Sequence, residues 1–269
     1  VFDSGFMLGD GIWEGLRVHH GKVAFLQEHL DRLWEGAAAL DLDIGLTQDE
    51  LAGRINATLA ANNMTEDVHI RLMVTRGLRS TPYQDPRVII SSATIVIAPE
   101  FKKADPKTAE NTQSLYTVSV RRGRPDVQDP GLNSHSKINC ITACIQAIKS
   151  GADEGLMLDP HGFVATCNST HFFIVRKGEV WTSSGDYCLG GITRSKIIQL
   201  CRDNDIPVFE KNFPLAKVYS ADESFTTGTF AGLAPVGDVD GRTIGTGARG
   251  PLTEKLQNLY LALIAKDTA

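Results

Sequence analysis

The sequence predicts a two-domain chain of the α+β class. β-rich runs and amphipathic helical segments alternate through its first half, a charged stretch without hydrophobic periodicity at residues 100–114 interrupts them, and further strands and helices follow. A chain of 269 residues is long enough to bury a sizeable core in each of two modest domains. We therefore expect a small N-terminal domain over residues 1–112, a connecting strand and loop over 113–130, and a larger C-terminal domain over 131–269.

The elements are predicted from hydrophobic spacing and from turn residues. In chain order, the predicted strands are 12–19, 23–25, 68–75, 88–98, 116–122, 155–158, 171–176, 180–182, 208–210, 223–227 and 235–239. The predicted helices are 27–40, 47–62, 138–150, 193–204 and 251–266. Thr47, with Glu50 three residues later, has the signature of a capping box and sets the start of the second helix.

Composition excludes several classes of function. The chain is 42% hydrophobic and 22% charged, with a formal net charge of −5 and no long basic run, so nucleic acid is not an expected partner. No apolar run approaches the roughly 20 residues that cross a bilayer, so no membrane is expected either. The five cysteines include no C-x-x-C pair, and an odd count in a chain this long indicates buried thiols in a reducing, cytoplasmic compartment. Cys140 and Cys144, four apart on a predicted helix, are interpreted as core residues rather than metal or redox groups, and no metal site is expected.

One lysine is a candidate for covalent chemistry. Lys137 follows a polar turn and precedes the predicted helix at 138–150. A lysine held at the edge of a core can lose its proton and form a Schiff base, whereas most loop lysines are simply solvated. The adjacent Ser134, His135 and Ser136 do not indicate a hydrolase, because a nucleophile and its base are rarely neighbours in sequence.

Two turns in the second half are suited to an anion. Gly190-Gly191-Ile192-Thr193-Arg194 is a glycine pair that enters a helix, where free backbone N–H groups and the positive end of the helix dipole favour negative charge. The hydroxyl-rich turn Thr226-Thr227-Gly228-Thr229 could add donors. Either turn alone could be a mere connector. A third glycine-rich stretch, residues 245–250, matches G-x-G-x-x-G, but too little chain follows it to complete a dinucleotide-binding βαβ unit.

Together these stretches resemble the class IV aminotransferases, the fold-type IV enzymes that use pyridoxal 5′-phosphate (PLP). That group includes branched-chain and D-amino acid aminotransferases, (R)-amine transaminases and aminodeoxychorismate lyase. The similarity covers nearly the whole chain in the family's order, over residues 6–17, 28–33, 151–159, 189–194 and 228–229. It implies a small α/β N-terminal domain whose first strands precede Val1, a larger pseudo-barrel C-terminal domain, and a homodimer. It also implies transfer of an amino group between an amino acid or amine and a 2-keto acid.

The resemblance also implies roles for single residues. Lys137 would carry the Schiff base and then act as general acid and base. Arg32 would bind the cofactor phosphate, together with Gly191, Ile192, Thr193, Gly228 and Thr229, while Leu189 would pack on the pyridine ring. The substrate would contact Arg71, Arg79 in the loop at 76–87, and Trp13.

Two positions depart from the family pattern. Thr166 stands where the family has a glutamate that keeps the pyridine nitrogen protonated, so the ring should be a weaker electron sink. Counted without gaps from Gly151, the family's lysine falls on Asn133, and Lys137 lies four residues later, about one helical turn away. Lys137 is thus either a displaced Schiff-base lysine or part of a degenerate scaffold. The alternative functions are a PLP-dependent lyase and a non-catalytic ligand-binding protein.

Overall fold

The computed structural model describes residues 1–269, apart from the side chain of Pro106. These residues separate into two compact units. The first comprises Val1–Lys103, Leu132–Lys137 and Ile264–Ala269, and the second comprises Ala104–Gly131 and Ile138–Leu263. Two later segments thus pack into the first unit, a feature that no local sequence pattern signals.

The first unit is a small antiparallel sheet with helices packed on it. Its elements are α1 (Ser4–Leu8), β1 (Gly11–His19), β2 (Lys22–Val23), α2 (Leu26–Ala39), α3 (Gln48–Ala61), β3 (Val68–Thr75) and β4 (Thr94–Phe101). The strands pair antiparallel in the order β2-β1-β3-β4. Buried residues of β3 alternate with more exposed ones and cluster with Leu33 of α2 and Ile55 of α3. The α3 helix begins with the predicted capping box, because Thr47 and Glu50 bond each other's backbone N–H.

The second unit is built on a larger mixed sheet. Its elements are β5 (Gln113–Thr117), α4 (Ile138–Ser150), β6 (Glu154–Leu158), β7 (Val164–Cys167), β8 (His171–Arg176), β9 (Glu179–Thr182), α5 (Ile192–Asp203), β10 (Val208–Glu210), α6 (Leu215–Val218), β11 (Glu223–Gly228), β12 (Gly232–Val239), β13 (Arg242–Thr243) and α7 (Pro251–Asp267). Among the described residues, nine strands form the order β10-β9-β8-β11-β12-β5-β6-β7, with β13 paired to β12. The apolar core on this sheet includes Leu156, Phe172, Ile174 and Val236.

Two predicted strands have clearly different bounds in the structure, and the short strands β7 and β13 were not predicted. The strand expected at 88–98 begins only at Thr94, because Pro86–Val88 forms a 3₁₀ turn. The strand expected at 116–122 lies earlier, as β5. The short strand β7 carries Thr166 and was not predicted, since its sequence alternates too little to distinguish it from a turn. The five predicted helices are present, each within two residues of its expected bounds.

The cysteines are free thiols. Cys167, Cys188 and Cys201 are buried, and burial raises the pKa of the Cys201 thiol to about 12, so it stays protonated and inert. Cys140 and Cys144 are only half-buried on α4, which corrects the expectation that they are core residues. The described residues include no cluster of side chains suited to a metal ion and no helix long and apolar enough to cross a bilayer.

Candidate active site

Lys137 is the last residue before α4 and belongs to the first unit. The preceding segment is held against β1 by backbone hydrogen bonds, from Trp13 N–H to the Asn133 carbonyl at 3.0 Å and from His135 N–H to the Gly11 carbonyl at 2.9 Å. The indole Nε1 of Trp13 also donates to the Ser134 carbonyl at 3.0 Å. The predicted polar turn is therefore fixed to a strand, which limits where Lys137 can lie.

Trp13 is the centre of a small cationic cluster. The Lys137 ammonium nitrogen lies 5.5 Å from the centre of the Trp13 ring, and the Arg71 guanidinium lies 3.7 Å from it. Contacts of this kind stabilise by roughly 0.5–2 kcal/mol, depending on desolvation. Burial lowers the pKa of Arg71, and Glu100 partly offsets this effect. The structure thus brings together three residues that the sequence suggested separately: Lys137, Arg71 and Trp13.

Asn133 occupies the position at which the family's lysine falls by ungapped counting. Its amide Nδ2 donates to the Trp13 carbonyl at 2.6 Å, and its Oδ1 is buried with no hydrogen-bond partner among the described residues. An unsatisfied buried acceptor is unfavourable in the absence of a donor. By ungapped counting, this chain therefore has an acceptor at the position of the family's amine, and its own amine lies four residues later, at Lys137.

His135 lies two residues before Lys137. Burial lowers its pKa, the charges of Arg71 and Lys137 lower it further, and a bond to the Ile12 carbonyl partly opposes the shift. Its Nε2 lies 3.0 Å from that carbonyl, which can only accept, so Nε2 carries the proton. His135 is thus a neutral imidazole at neutral pH.

Arg32, on α2, is held by a buried carboxylate that sequence reasoning missed. Its Nε and one Nη donate to Glu14 of β1 at 2.8 and 2.6 Å, and His29 Nδ1 donates to the same carboxylate at 2.7 Å. Burial would raise the pKa of Glu14, but the hydrogen bonds from His29 and Arg32 outweigh burial and lower it. Glu14 is therefore ionised and fixes the plane of the Arg32 guanidinium.

Arg79 is held by a separate set of hydrogen bonds. Its side chain is fully buried and donates to Ser4 Oγ at 3.1 Å, to the Asp85 carbonyl at 2.9 Å and to the Tyr83 carbonyl. These bonds hold the loop at 76–87 and favour a structural role for Arg79. Its role in substrate binding stays a prediction from sequence.

In the second unit, the N-terminus of α5 is suited to an anion. Gly191 is its N-cap and provides no side-chain cap, and the first turn contains no acidic residue. A Cβ at Gly191 would lie 2.2 Å from the His171 ring, so only glycine fits there. Ile192 and Thr193 follow in the first turn and are both buried, and the Thr193 hydroxyl lies 3.3 Å from that of Tyr260. Backbone N–H groups at such a helix start bind phosphate in many proteins.

The Thr166 hydroxyl is engaged by a neighbouring turn. Its hydroxyl donates to the Thr170 carbonyl at 2.7 Å. Glu154, also missed by sequence reasoning, accepts four bonds of 2.8–2.9 Å from the backbone and hydroxyl groups of Ser169 and Thr170. Because its one proton is already donated, the Thr166 oxygen can only accept a further bond.

Contacts of Thr170 and His171 connect the remaining predicted residues of this unit. A Cβ at Gly228 would lie 3.4 Å from the Thr170 methyl, which places the Gly228–Thr229 turn beside the Thr166 turn. His171 Nε2 donates to the Leu189 carbonyl at 2.7 Å and thereby connects β8 to the start of α5. Leu189 is half-buried, so its side chain is not simply part of the core. Thr166 and Gly228 therefore share contacts with Thr170, and Leu189 and Gly191 share contacts with His171.

Comparison with known proteins identifies the family. Residues 11–239 match the model of the family described as amino-transferase class IV. The chain is 39% identical over 265 residues to a branched-chain-amino-acid aminotransferase-like protein of Arabidopsis thaliana, covering 98% of this chain and 47% of that protein. It is 34% identical to a branched-chain-amino-acid aminotransferase of Pseudomonas aeruginosa, covering 97% of this chain and 86% of that one. The chain thus spans about half the length of the Arabidopsis relative and most of the Pseudomonas one.

A solved structure shows the same fold. The branched-chain amino acid aminotransferase of T.th., solved with pyridoxamine 5′-phosphate, superposes with a TM-score of 0.91 at 26% identity, covering 99% of this chain and 89% of that one. The fold is therefore that of the fold-type IV enzymes, as the sequence predicted. By the match of its sequence and its fold, this chain belongs to the class IV aminotransferase family.

Proposed function

We propose that this protein is a PLP-dependent aminotransferase that moves an amino group between an amino acid or amine and a 2-keto acid. The observation that carries the proposal is the start of α5, a glycine-capped helix N-terminus that has the buried Thr193 and no acidic residue in its first turn. Such a site fits a phosphate monoester, and the family relatives are named as aminotransferases.

The residues present fit the two ends of the cofactor differently. The phosphate end fits, because α5 offers N–H donors and hydroxyls without a competing carboxylate in its first turn. At the ring end of the cofactor, one residue, Thr166, differs from the family pattern. Thr166 can accept a bond from a protonated ring nitrogen, since its own proton is donated to Thr170, but it supplies no negative charge. We therefore expect weaker electron withdrawal than a glutamate would give.

The proposed residue roles are those that the resemblance to the family implies. When bound, the cofactor supplies the aldehyde that accepts an amino group and the ring that delocalises an electron pair. Lys137 would supply the amine that condenses with the aldehyde, with release of water, and would then hold or move a proton at its Nζ. By resemblance to the family, Arg32, which Glu14 fixes, would donate to the phosphate, and Arg71, which stacks on Trp13, would pair with a substrate carboxylate.

The lysine that reacts with PLP can be identified directly by experiment. Purified protein incubated with PLP should show the visible absorbance of a lysine Schiff base, and borohydride reduction followed by peptide mapping should place the label on Lys137. Lys137→Ala should abolish both signals, while Lys149→Ala, at the exposed far end of α4, should change neither. Protein that stays colourless with PLP, or a label on another lysine, would overturn the assignment. Amine-dependent turnover of keto acids would then separate a transaminase from a lyase.

A homodimer is part of the proposal. Ile138, Ile141, Ile145 and Ile148 lie on one side of α4 at helical spacing, and each is 46–75% exposed. An exposed stripe of this kind is typical of a surface that another protein covers. Ile141→Asp and Ile145→Asp together should convert a dimer to monomer in light scattering, and a wild-type monomer would refute this part. We also propose a cytoplasmic location, which the free thiols support.

A further inference from the structure

Thr227 is a buried residue whose hydroxyl has no hydrogen-bond partner among the described residues. It is the penultimate residue of β11, has 0% of its surface exposed, and its Oγ1 has no hydrogen-bond partner among the described residues. Its neighbour Thr226 is equally buried, but its hydroxyl donates to Gln113 Oε1 at 3.1 Å. Buried hydroxyls in native proteins nearly always have a partner, so an unmatched one points to a ligand-binding group.

Strand pairing locates this hydroxyl. Thr227 lies directly opposite His171 in the antiparallel pair of β11 and β8, and residues opposite each other extend their side chains from the same face of a sheet. On that face, the His171 ring packs against Gly191, the N-cap of α5, and donates to the Leu189 carbonyl. The Thr227 hydroxyl is therefore on the face that carries the start of α5.

The groups on this face favour a ligand with acceptor atoms and negative charge. The start of α5 offers backbone N–H groups and a positive partial charge, and its first turn contains no acidic side chain. The hydroxyl of Thr227 can add a donated proton, and Gly228 and Thr229 follow directly along the chain. A phosphate or similar oxyanion has several acceptor oxygens that suit donors of this kind, whereas a cation suits none of them.

We propose that the Thr227 hydroxyl is a further ligand of an oxyanion bound at the start of α5, and that His171 is a positioning residue that holds the turn of Leu189 and Gly191 in place. The identification of this oxyanion with the phosphate of PLP rests on the proposed function. The oxyanion site itself rests only on the contacts of β8, β11 and α5.

The test compares the free and the liganded protein. Thr227→Val removes a hydroxyl that makes no bond in the free protein, so its melting temperature without ligand should be equal to or above that of wild type. Its affinity for PLP and for inorganic phosphate should fall by roughly tenfold or more, because a bond to a charged group is lost. Thr227→Ser should keep the affinity. Thr226→Val is the matched control: it should lower the melting temperature and leave phosphate affinity unchanged.

Several outcomes decide the proposal. Wild-type affinity for PLP and phosphate in Thr227→Val would overturn it, and so would a loss of free-protein stability as large as in Thr226→Val. Pyridoxal, which lacks the phosphate, should bind Thr227→Val and wild type equally, and a difference would argue against a phosphate contact. If wild type binds phosphate through Thr227 but never forms the visible Schiff base, the oxyanion site stands and the aminotransferase assignment fails.

Discussion

Replacing Glu14 with glutamine should destabilise the first unit and loosen Arg32. Glu14 has 0% of its surface exposed and accepts three bonds of 2.6–2.8 Å, two from Arg32 and one from His29. Glutamine keeps one acceptor oxygen but turns an amide N–H₂ toward one of these donors. At least one bond is therefore lost, and the Arg32 charge loses its partner.

The expected loss of stability in Glu14→Gln follows from the burial of the Glu14–Arg32 ion pair. Breaking a buried ion pair by removing one partner costs roughly 3–5 kcal/mol, because the other charge is left uncompensated. The Arg32 side chain keeps 13% of its surface exposed, so water can solvate part of its charge. We therefore expect a loss at the lower end, about 3 kcal/mol in the free energy of unfolding.

The loss should depend on pH with a definite sign. The folded-state pKa of Glu14 is lowered, because the bonds from His29 and Arg32 outweigh the opposing effect of burial. The contribution of the carboxylate is thus fully present above its unfolded-state pKa of about 4.3 and is lost as the pH falls through the lower folded-state value. The difference between wild type and Glu14→Gln should therefore be constant near neutral pH and shrink below about pH 4.

Urea denaturation of both proteins across this pH range measures the difference. The double variant Glu14→Gln/Arg32→Gln should recover part of the lost stability, because it removes the uncompensated charge together with its partner. A loss below about 1 kcal/mol in Glu14→Gln at neutral pH, or a loss that does not change down to pH 3, would refute the view that an ionised Glu14 holds Arg32.

Three further substitutions probe the second unit. Gly191→Ala should weaken phosphate binding and lower stability, since its Cβ would lie 2.2 Å from the His171 ring. The control Gly190→Ala should do neither, because its Cβ would meet nothing within 4 Å. Equal phosphate titration curves for the two variants would contradict this. Glu154→Gln should lower the free energy of unfolding by about 2–4 kcal/mol in urea, because a carboxylate that accepts four bonds is replaced, and a loss within about 0.5 kcal/mol would disprove its role in holding the turn. Thr166→Glu should raise protonation of the bound ring nitrogen and increase the transamination rate, and an unchanged spectrum and rate would exclude the contact.

Local sequence determined most of the secondary structure and the family. Capping residues and hydrophobic spacing act over a few positions, which is why the capping box of Thr47 and Glu50 and the bounds of the helix at Ile138–Ser150 were predicted closely. The glycine pair before α5 was also visible, because glycines that precede a helical pattern mark a turn. The roles of Lys137 and of the other predicted site residues stay predictions, to be decided by the experiments above.

Only the tertiary structure decided which polar groups have partners. Glu14 meets Arg32 across 18 positions, and Glu154 meets Thr170 across 16, separations over which no periodic pattern operates. Arg79 is a substrate-binding candidate in the sequence, but the fold surrounds it with backbone carbonyls. Thr226 and Thr227 are adjacent residues of the same type, so the sequence does not distinguish them. Their environments differ because alternate residues of a strand face opposite sides of its sheet: Thr226 faces Gln113, and Thr227 faces the start of α5. Hydrogen bonding of buried groups depends on packing between distant segments, so the sequence supplied the donors and the fold determined what they bind.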